Sequence, residues 1–342
     1  MYFHLLQPDE IPWTELDALP DRTIFQTKPW LDFLAATQRA VPVVAELRDC
    51  GEAVGYFTGL IVCKFGLRIL GSPMPGWTTP HIGFNLLRDV SLWQALRVLR
   101  DFAFHELGCV HLEITDPHIT AVDAHRAGYR IFPQLTYFTD LTPPIQTILN
   151  NLHRSPRRSI HKAEAAGVII EQAFDAGFAD DYYRQLQDVF AKQGLVPPYG
   201  VERIRQLITH LLPTGNLLLL RARNQDGLCI ASCIYEGMGG FAYGYGNGSY
   251  RAYQYLCPNP ALHWYSLRYW KERGANAFDW VGGGDYKEGY GAIPSYMMWC
   301  RISRIAGLEP LRNAARQAYR LQQVATRALL HRSPLPQRAT RA

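Results

Sequence analysis

The sequence lacks an uninterrupted apolar run long enough to cross a bilayer, and its start, Met1-Tyr2-Phe3-His4, has neither the basic segment nor the hydrophobic stretch of a secretory leader. The expectation is a cytoplasmic protein. Its seven cysteines (Cys50, Cys63, Cys109, Cys229, Cys233, Cys257 and Cys300) are odd in number, scattered and without a C-x-x-C pair. That removes the support for a disulfide framework or a structural zinc site. There is no Gly-x-x-x-x-Gly-Lys-Ser/Thr loop, and no G-x-G-x-x-G opens a helix after the first strand of a βαβ unit, so nucleotide hydrolysis and hydride transfer lose their main support. A G-x-S-x-G elbow is absent too, which leaves hydrolase chemistry unsupported. His111, Glu113 and His118 are close in sequence, but two ligands on a strand face and one beyond it do not define a metal centre, and no metal is expected.

What is present is the material of a folded protein. Of 342 residues, 48% are hydrophobic and 19% charged, and the length suits two domains of ordinary size. The net charge of +5 is modest but concentrated, with one dense basic cluster from Arg154 to Lys162 and another in the tail after Glu309. From Arg312 onward there are seven arginines and no acidic residue, on apolar positions near helical spacing. A basic helix and tail over 309–342 follows, either docked on the protein or making peripheral membrane contact through residues 310–332.

The chain reads as a strand and a helix near Pro29, then a hairpin of Val43–Leu47 and Val54–Val62 about Asp49-Cys50-Gly51. The Gly- and Pro-loaded stretch from 71 to 83 reads as loop, Val90 to Leu107 as helix, and Val110–Ile114 as strand. A short helix over 121–127 and a strand over 129–132 close a first domain at Leu141. The second half repeats this order: a helical region from 142 to 166, helices near 180–193 and 201–212, and strands 217–223 and 229–236 about Asn224-Gln225-Asp226-Gly227. Strand 240–245, helix 258–273 and strand 277–281 complete it. The expected fold is α/β (α+β), with domains 1–141 and 142–308 of duplicated architecture.

Two constellations carry chemistry. Arg157, Arg158 and Lys162 belong to the basic cluster; helical spacing puts Arg154, Arg158 and Lys162 on one side, suited either to a solvated face or to binding phosphate. Phe278-Asp279 empties into Gly282-Gly283-Gly284 and then Tyr286-Lys287, a loop whose glycines let backbone amides approach a ligand. Tyr250 to Tyr255 lie where rings could line such a site.

Taken in order, Arg157-Arg158-Ser159-Ile160-His161-Lys162-Ala163 running to Gly167-Val168, Pro258 to Trp264, Lys271-Glu272-Arg273-Gly274, Phe278-Asp279, the triple glycine and Tyr286-Lys287 through Gly291 resemble the second domain of FemAB-like transferases of the GNAT superfamily. Gly128-Tyr129 followed by Asp140-Leu141 is similar to the end of their first domain. The resemblance implies two tandem GNAT-like domains, each a central mixed sheet flanked by helices. It implies acyl transfer from acyl-CoA, or from aminoacyl-tRNA, to an amine or hydroxyl on a small-molecule or lipid-linked glycan acceptor of cell-envelope or polysaccharide synthesis. By the same resemblance Lys287 neutralises donor or oxyanion charge, with Tyr286 and Tyr255 beside it as catalytic candidates. Arg157, Arg158, Lys162, Lys192, Tyr250, Gly283 and Gly284 are then the expected substrate-binding residues, and Asp279 and Glu288 the carboxylates nearest a general-base role. The long helical hairpin of some bridge-forming members and the pyrophosphate loop of acetyl-CoA-binding relatives are both missing. A noncatalytic binding protein on the same fold remains a third reading.

Overall fold

The computed structural model describes residues 1–305 other than Gln193, together with Gly307, Pro310 and Gln317. The basic helix expected over 309–342, with its membrane contact, lies outside the described residues apart from those last two positions. No helix among the described residues is long and apolar enough to cross a membrane.

The first half holds β1 (Tyr2–Leu5), α1 (Trp13–Asp17), α2 (Lys28–Gln38), β2 (Val41–Asp49), β3 (Glu52–Lys64), β4 (Leu67–Ser72), β5 (Gly83–Leu86), α3 (Leu92–Asp101), β6 (His111–Asp116), α4 (Ala121–Arg126) and β7 (Arg130–Asp140). Pro29 falls in the first turn of α2, where a missing N–H loses no partner. The β3–β4 turn places Phe65 and Gly66 at positive φ, as a two-residue hairpin loop of the mirror-image type demands. Thr120 and Asp123 cap α4 reciprocally. The stretch expected as loop from 71 to 83 is loop only between its ends: Gly71 pairs with β3, Ser72 with β6, and Gly83 opens β5. Gly71 belongs to the strand because the Met74 side chain, 2.5 Å from where a Cβ would stand, takes the space of its own.

The second half holds α5 (Ile145–Asn151), α6 (Arg154–Ala165), β8 (Ile169–Gln172), α7 (Phe178–Lys192), α8 (Val201–Leu211), β9 (Leu217–Arg223), β10 (Cys229–Met238), β11 (Phe241–Ser249), α9 (Pro258–Glu272), β12 (Ala277–Asp279) and β13 (Ile293–Ser303). The helical region expected from 142 to 166 is two helices, broken where Leu152 is extended. The strand expected to reach Val281 stops at Asp279.

The thirteen strands among the described residues join one mixed sheet in the order β1-β2-β3-β4-β6-β13-β7-β12-β11-β10-β9-β8, with β5 beside β3. Two pairs are parallel, β4 with β6 and β11 with β12. Each is joined through a helix, α3 in the first half and α9 in the second, as parallel neighbours require. The last strand of each half pairs with the other half: β13 lies between β6 and β7, and β7 pairs with β12. The halves are thus tied by exchanged strands.

The strand expected at 129–132 runs on to Asp140 because Pro133 does not break it. Proline has no N–H, yet β12 covers only Phe138–Asp140, so Pro133 has a strand on one side alone and nothing is lost on the other. Pro294 in β13 is placed the same way, beyond the reach of β6, which stops at Met298.

The sheet has two covered faces. On one, Trp30 and Phe33 of α2 pack with Phe178, Tyr182, Ile204 and Leu207 of α7 and α8, so both halves share a core. On the other, α3 and α4 cover the first half, and α5, α6 and α9 cover the second. Alternation along β10 shows the two-sidedness: Ile234 joins the shared core and Tyr235 the opposite one.

Candidate functional site

The registers fix where the sheet opens. β6 runs toward Met298 and ends there, while β12 runs toward Phe138 and ends there. The carboxyl ends of the two parallel pairs therefore point at each other across a gap bridged only by β7 and β13. Open α/β sheets bind ligands beyond the carboxyl ends of their strands. A cleft of ≈ 490 Å³ occupies this gap, lined by Gln134, Leu135, Thr136, Met297 and Trp299, the 73–80 loop, Tyr199 and Val281-Gly282.

Behind the cleft wall β12 ends in a strained turn. Val281 stands at φ 49°, a conformation that a β-branched residue rarely adopts, and is followed by Gly282 at φ 78° and Gly284 at φ 140°. Two side chains hold it. Asp279 Oδ1 accepts the Val281 N–H at 2.8 Å and also the Thr136 hydroxyl. From the other side Lys287 Nζ donates to the carbonyls of Val281, at 2.9 Å, and Gly282, at 2.7 Å. Lys287 is buried, and two of its three N–H donors are used in the turn. Burial lowers its pKa, and Asp279 partly restores it.

Asp279 is fully buried, and its Oδ2 has no partner among the described residues. Burial raises its carboxyl to about 6, against the pull of Thr136, the Val281 N–H and Lys287. Beside it in register stand Tyr243 of β11 and, one strand further, Glu236 of β10. Both Glu236 oxygens are buried without a partner among the described residues, and burial holds its pKa well above the carboxylate range. Tyr243 meets His81 Nε2 at 3.3 Å across the shared core.

A stability prediction follows from the raised Asp279 pKa. The folded state holds this proton to higher pH than the unfolded chain, so the contribution is complete below the unfolded value and lost as pH rises through about 6. An asparagine at this position keeps an Oδ1 that accepts both bonds, without the charge. Asp279→Asn is expected to stabilise the protein by roughly 3 kcal/mol at alkaline pH and by nothing near pH 3, read from urea unfolding at both.

A second buried charge borders the cleft. Arg203 of α8 donates from Nε to the Tyr245 hydroxyl at 3.1 Å and from Nη2 to the Trp77 carbonyl, with its guanidinium 5.3 Å from the Tyr199 ring centroid. No carboxylate among the described residues lies within ion-pair distance of it.

The expected site residues divide between the faces. Gly283 and Gly284 belong to the turn, Lys287 lies under it beside the Tyr137 ring, and Tyr286 is 58% exposed next to it. Helix α6 abuts this turn, since the His153 N–H donates to the Gly289 carbonyl at 2.8 Å. On α6, Arg157 is half-buried while Arg158 and Lys162 are exposed. None of Arg154, Arg157, Arg158 and Lys162 is within ion-pair distance of a carboxylate among the described residues. Tyr255 is exposed and Tyr250 half-buried at the turn before α9. Lys192 is exposed at the end of α7, on the opposite face of the sheet from α6. Glu288 is exposed within the turn. His111 and Glu113 do meet, at 3.0 Å, and His111 also touches Ser303; no group of three or more His, Cys, Asp or Glu able to hold a metal gathers among the described residues.

Residues 150–290 match the family model described as an acetyltransferase (GNAT) domain. The fold is similar to that of a solved FemX, at 14% identity and a TM-score of 0.70, covering 92% of this chain and 99% of that one. It is also similar to a tandem GNAT protein from the clavulanic acid biosynthesis pathway, at 14% identity and 0.54, covering 89% and 99%. L-PGS from Bacillus licheniformis follows at 13% identity and 0.51, covering 82% and 93%. No curated protein matches the chain. Residues 150–290 thus match a GNAT-type acetyltransferase domain, and the fold is similar to that of FemX and of a tandem GNAT protein.

Proposed function

We propose that the protein transfers an acyl group from acyl-CoA to an amine or hydroxyl of a small-molecule or lipid-linked glycan acceptor used in building the cell envelope or a polysaccharide. The observation that carries this reading is the placement of two chemically different surfaces on either side of one strained turn. On the α6 face stand Lys287, with one N–H left for a ligand, and unpaired basic side chains suited to donor phosphates. On the other face is the cleft, bordered by Arg203, a buried cation that an anionic group on the acceptor would pair. Donor and acceptor would then meet at Val281-Gly282, where fixed geometry supplies much of the rate.

A second reading, with aminoacyl-tRNA as donor, is favoured by the start of α9. A helix N-terminus after a strand suits a diphosphate through its free N–H groups, but α9 begins Pro258-Asn259-Pro260 and so has two prolines where those donors would be. Exposed Tyr286 and Tyr255 instead offer rings for stacking bases beside a basic face.

Equilibrium binding of an acyl-CoA series and of charged tRNAs separates the two. Micromolar binding of one class, weakened about tenfold or more by Arg158→Glu with Lys162→Glu, is expected, and a steep salt dependence marks the tRNA case. Folded protein that binds neither class would overturn the proposal.

A further inference from the structure

The strand registers gather one set of strand ends along a single edge of the sheet, at the opposite end of β6 from the cleft. Val41 of β2 pairs with Ile61 of β3, and Lys64 pairs with Leu67 across the β3–β4 turn. Just past that turn the Arg68 carbonyl accepts the Val110 N–H, and the Val110 carbonyl accepts the Arg304 N–H. Arg130, which opens β7, pairs with Arg301. The edge therefore runs over six neighbouring strands, β2 to β7 in sheet order, a row roughly 24 Å wide.

Two kinds of side chain stand on it. Arg39, Lys64, Arg68, Arg130 and Arg304 are exposed, and none is within ion-pair distance of a carboxylate among the described residues. Glu106, in the turn that leads into β6, is the exposed carboxylate set against them. Between the cations stand apolar side chains: Val41 is 64% exposed, Ile305 is exposed, and Phe65 at the hairpin tip is 101% exposed. Folding gives no reason for a phenylalanine there. It packs on nothing, and its φ of 52° is a conformation that suits asparagine or glycine and strains a bulky residue. Strain held at a fully exposed position points to use, not to stability. The chain also leaves this edge at Ile305 toward a sequence that, from Arg312 onward, carries seven arginines and no acidic residue.

We propose that this edge docks on an anionic lipid bilayer, its basic side chains meeting headgroup charge and Phe65 entering the boundary between headgroups and acyl chains. A bilayer is favoured over a folded acidic partner by shape. The apolar element is a projecting tip, which a soft surface closes around, whereas a protein partner would need a pocket to receive it. The two-residue turn holds the Phe65 backbone in one conformation, so little order is lost on insertion. The surface is separate from the cleft: Met297 in the cleft wall is six residues along β13 from Ser303, about 20 Å away. Docking thus leaves the cleft clear of the bilayer, and it does not depend on which donor or acceptor the cleft takes.

The test is co-sedimentation of the full chain with vesicles of phosphatidylcholine alone and of an equal mixture of phosphatidylcholine and phosphatidylglycerol. Wild type is compared with Phe65→Ser and with Lys64→Glu combined with Arg68→Glu. All three positions are exposed, so the variants should unfold at the same urea concentration as wild type. Wild type is expected to bind the mixed vesicles, more weakly as salt is raised, and not phosphatidylcholine alone. The charge reversal should weaken binding about tenfold or more, and Phe65→Ser about fivefold. Variants that bind as tightly as wild type would overturn the proposal, since contact would then lie elsewhere in the chain. Weakening by the charge reversal alone would mean an anionic surface met without insertion, and would overturn the bilayer as the partner. Folded wild type that stays in the supernatant with both vesicles would overturn it outright.

Discussion

Lys287→Met is expected to cut acyl transfer by about a hundredfold to a thousandfold, the range for removing one preorganised charge from a developing oxyanion. Methionine is close to lysine in length and keeps the apolar stem packed, so the loss falls on the ammonium. Two carbonyls of the turn, Val281 and Gly282, then lose their donor, and the positive φ of Val281 loses one of its two restraints. A second consequence is electrical. Lys287 lowers the Asp279 pKa, so its removal raises that pKa further, and the pH at which the Asp279 contribution to stability is lost should move up. Lys287→Arg is not expected to rescue, because a planar guanidinium cannot place one nitrogen between two carbonyls as an ammonium does in a pocket already closed around it. The kcat of the three proteins and their urea stability against pH check this: a methionine variant with undiminished kcat would leave Lys287 a structural clamp only.

Much of this fold can be read along the chain, and the reasons for the rest are specific. The hairpins about Cys50-Gly51 and about Asn224 to Gly227 have turn residues in positive φ at the expected places, Gly51 and Gly227. Helices α2, α4, α7, α8 and α9 begin and end within a few residues of their expected limits, because proline, caps and apolar spacing are local signals. β13 has no such signal. Ile293-Pro294-Ser295-Tyr296-Met297-Met298-Trp299 contains a proline, two methionines and no alternation, since it runs through the middle of the sheet between strands of the other half. A strand exchange is a property of tertiary pairing, and neither β7 nor β13 shows in its own residues which partner it takes. The glycine-rich turn was visible as composition, whereas Thr136 was not visible at all: it meets Asp279 across 143 positions. Arg203 and Glu236 read as ordinary helix and strand residues until the structure shows both buried, with no ion-pair partner for either among the described residues.

Gly83→Ala should be the most disruptive small substitution in the first half. Gly83 opens β5 at φ 78°, and a Cβ there would lie 2.0 Å from Asp116 Oδ2, far inside any contact distance. The carboxylate cannot step aside without loss, because it is buried and accepts the N–H groups of Phe84 and His118, each at 2.8 Å. Moving it breaks one or both bonds and leaves a buried acid, whose pKa burial already raises, with less to hold it. Backbone strain of about 1 kcal/mol adds to a buried polar group deprived of partners, and the total is expected to be about 4 kcal/mol or more. The damage reaches the cleft: the Gly83 N–H donates to Ser72 Oγ, which in turn donates to the Thr58 carbonyl, and these bonds tie β5 to both ends of the 73–82 loop and to β3. That loop supplies Pro73 to Pro80 to the cleft wall, so the variant should unfold at lower urea concentration and also bind acceptor more weakly in whatever fraction stays folded. Gly83→Ala with Asp116→Ala removes the collision, and with it part of the cost, so the double variant should be more stable than Gly83→Ala alone. A double variant that is less stable would mean that the Asp116 bonds to the Phe84 and His118 N–H groups outweigh the collision and survive in Gly83→Ala.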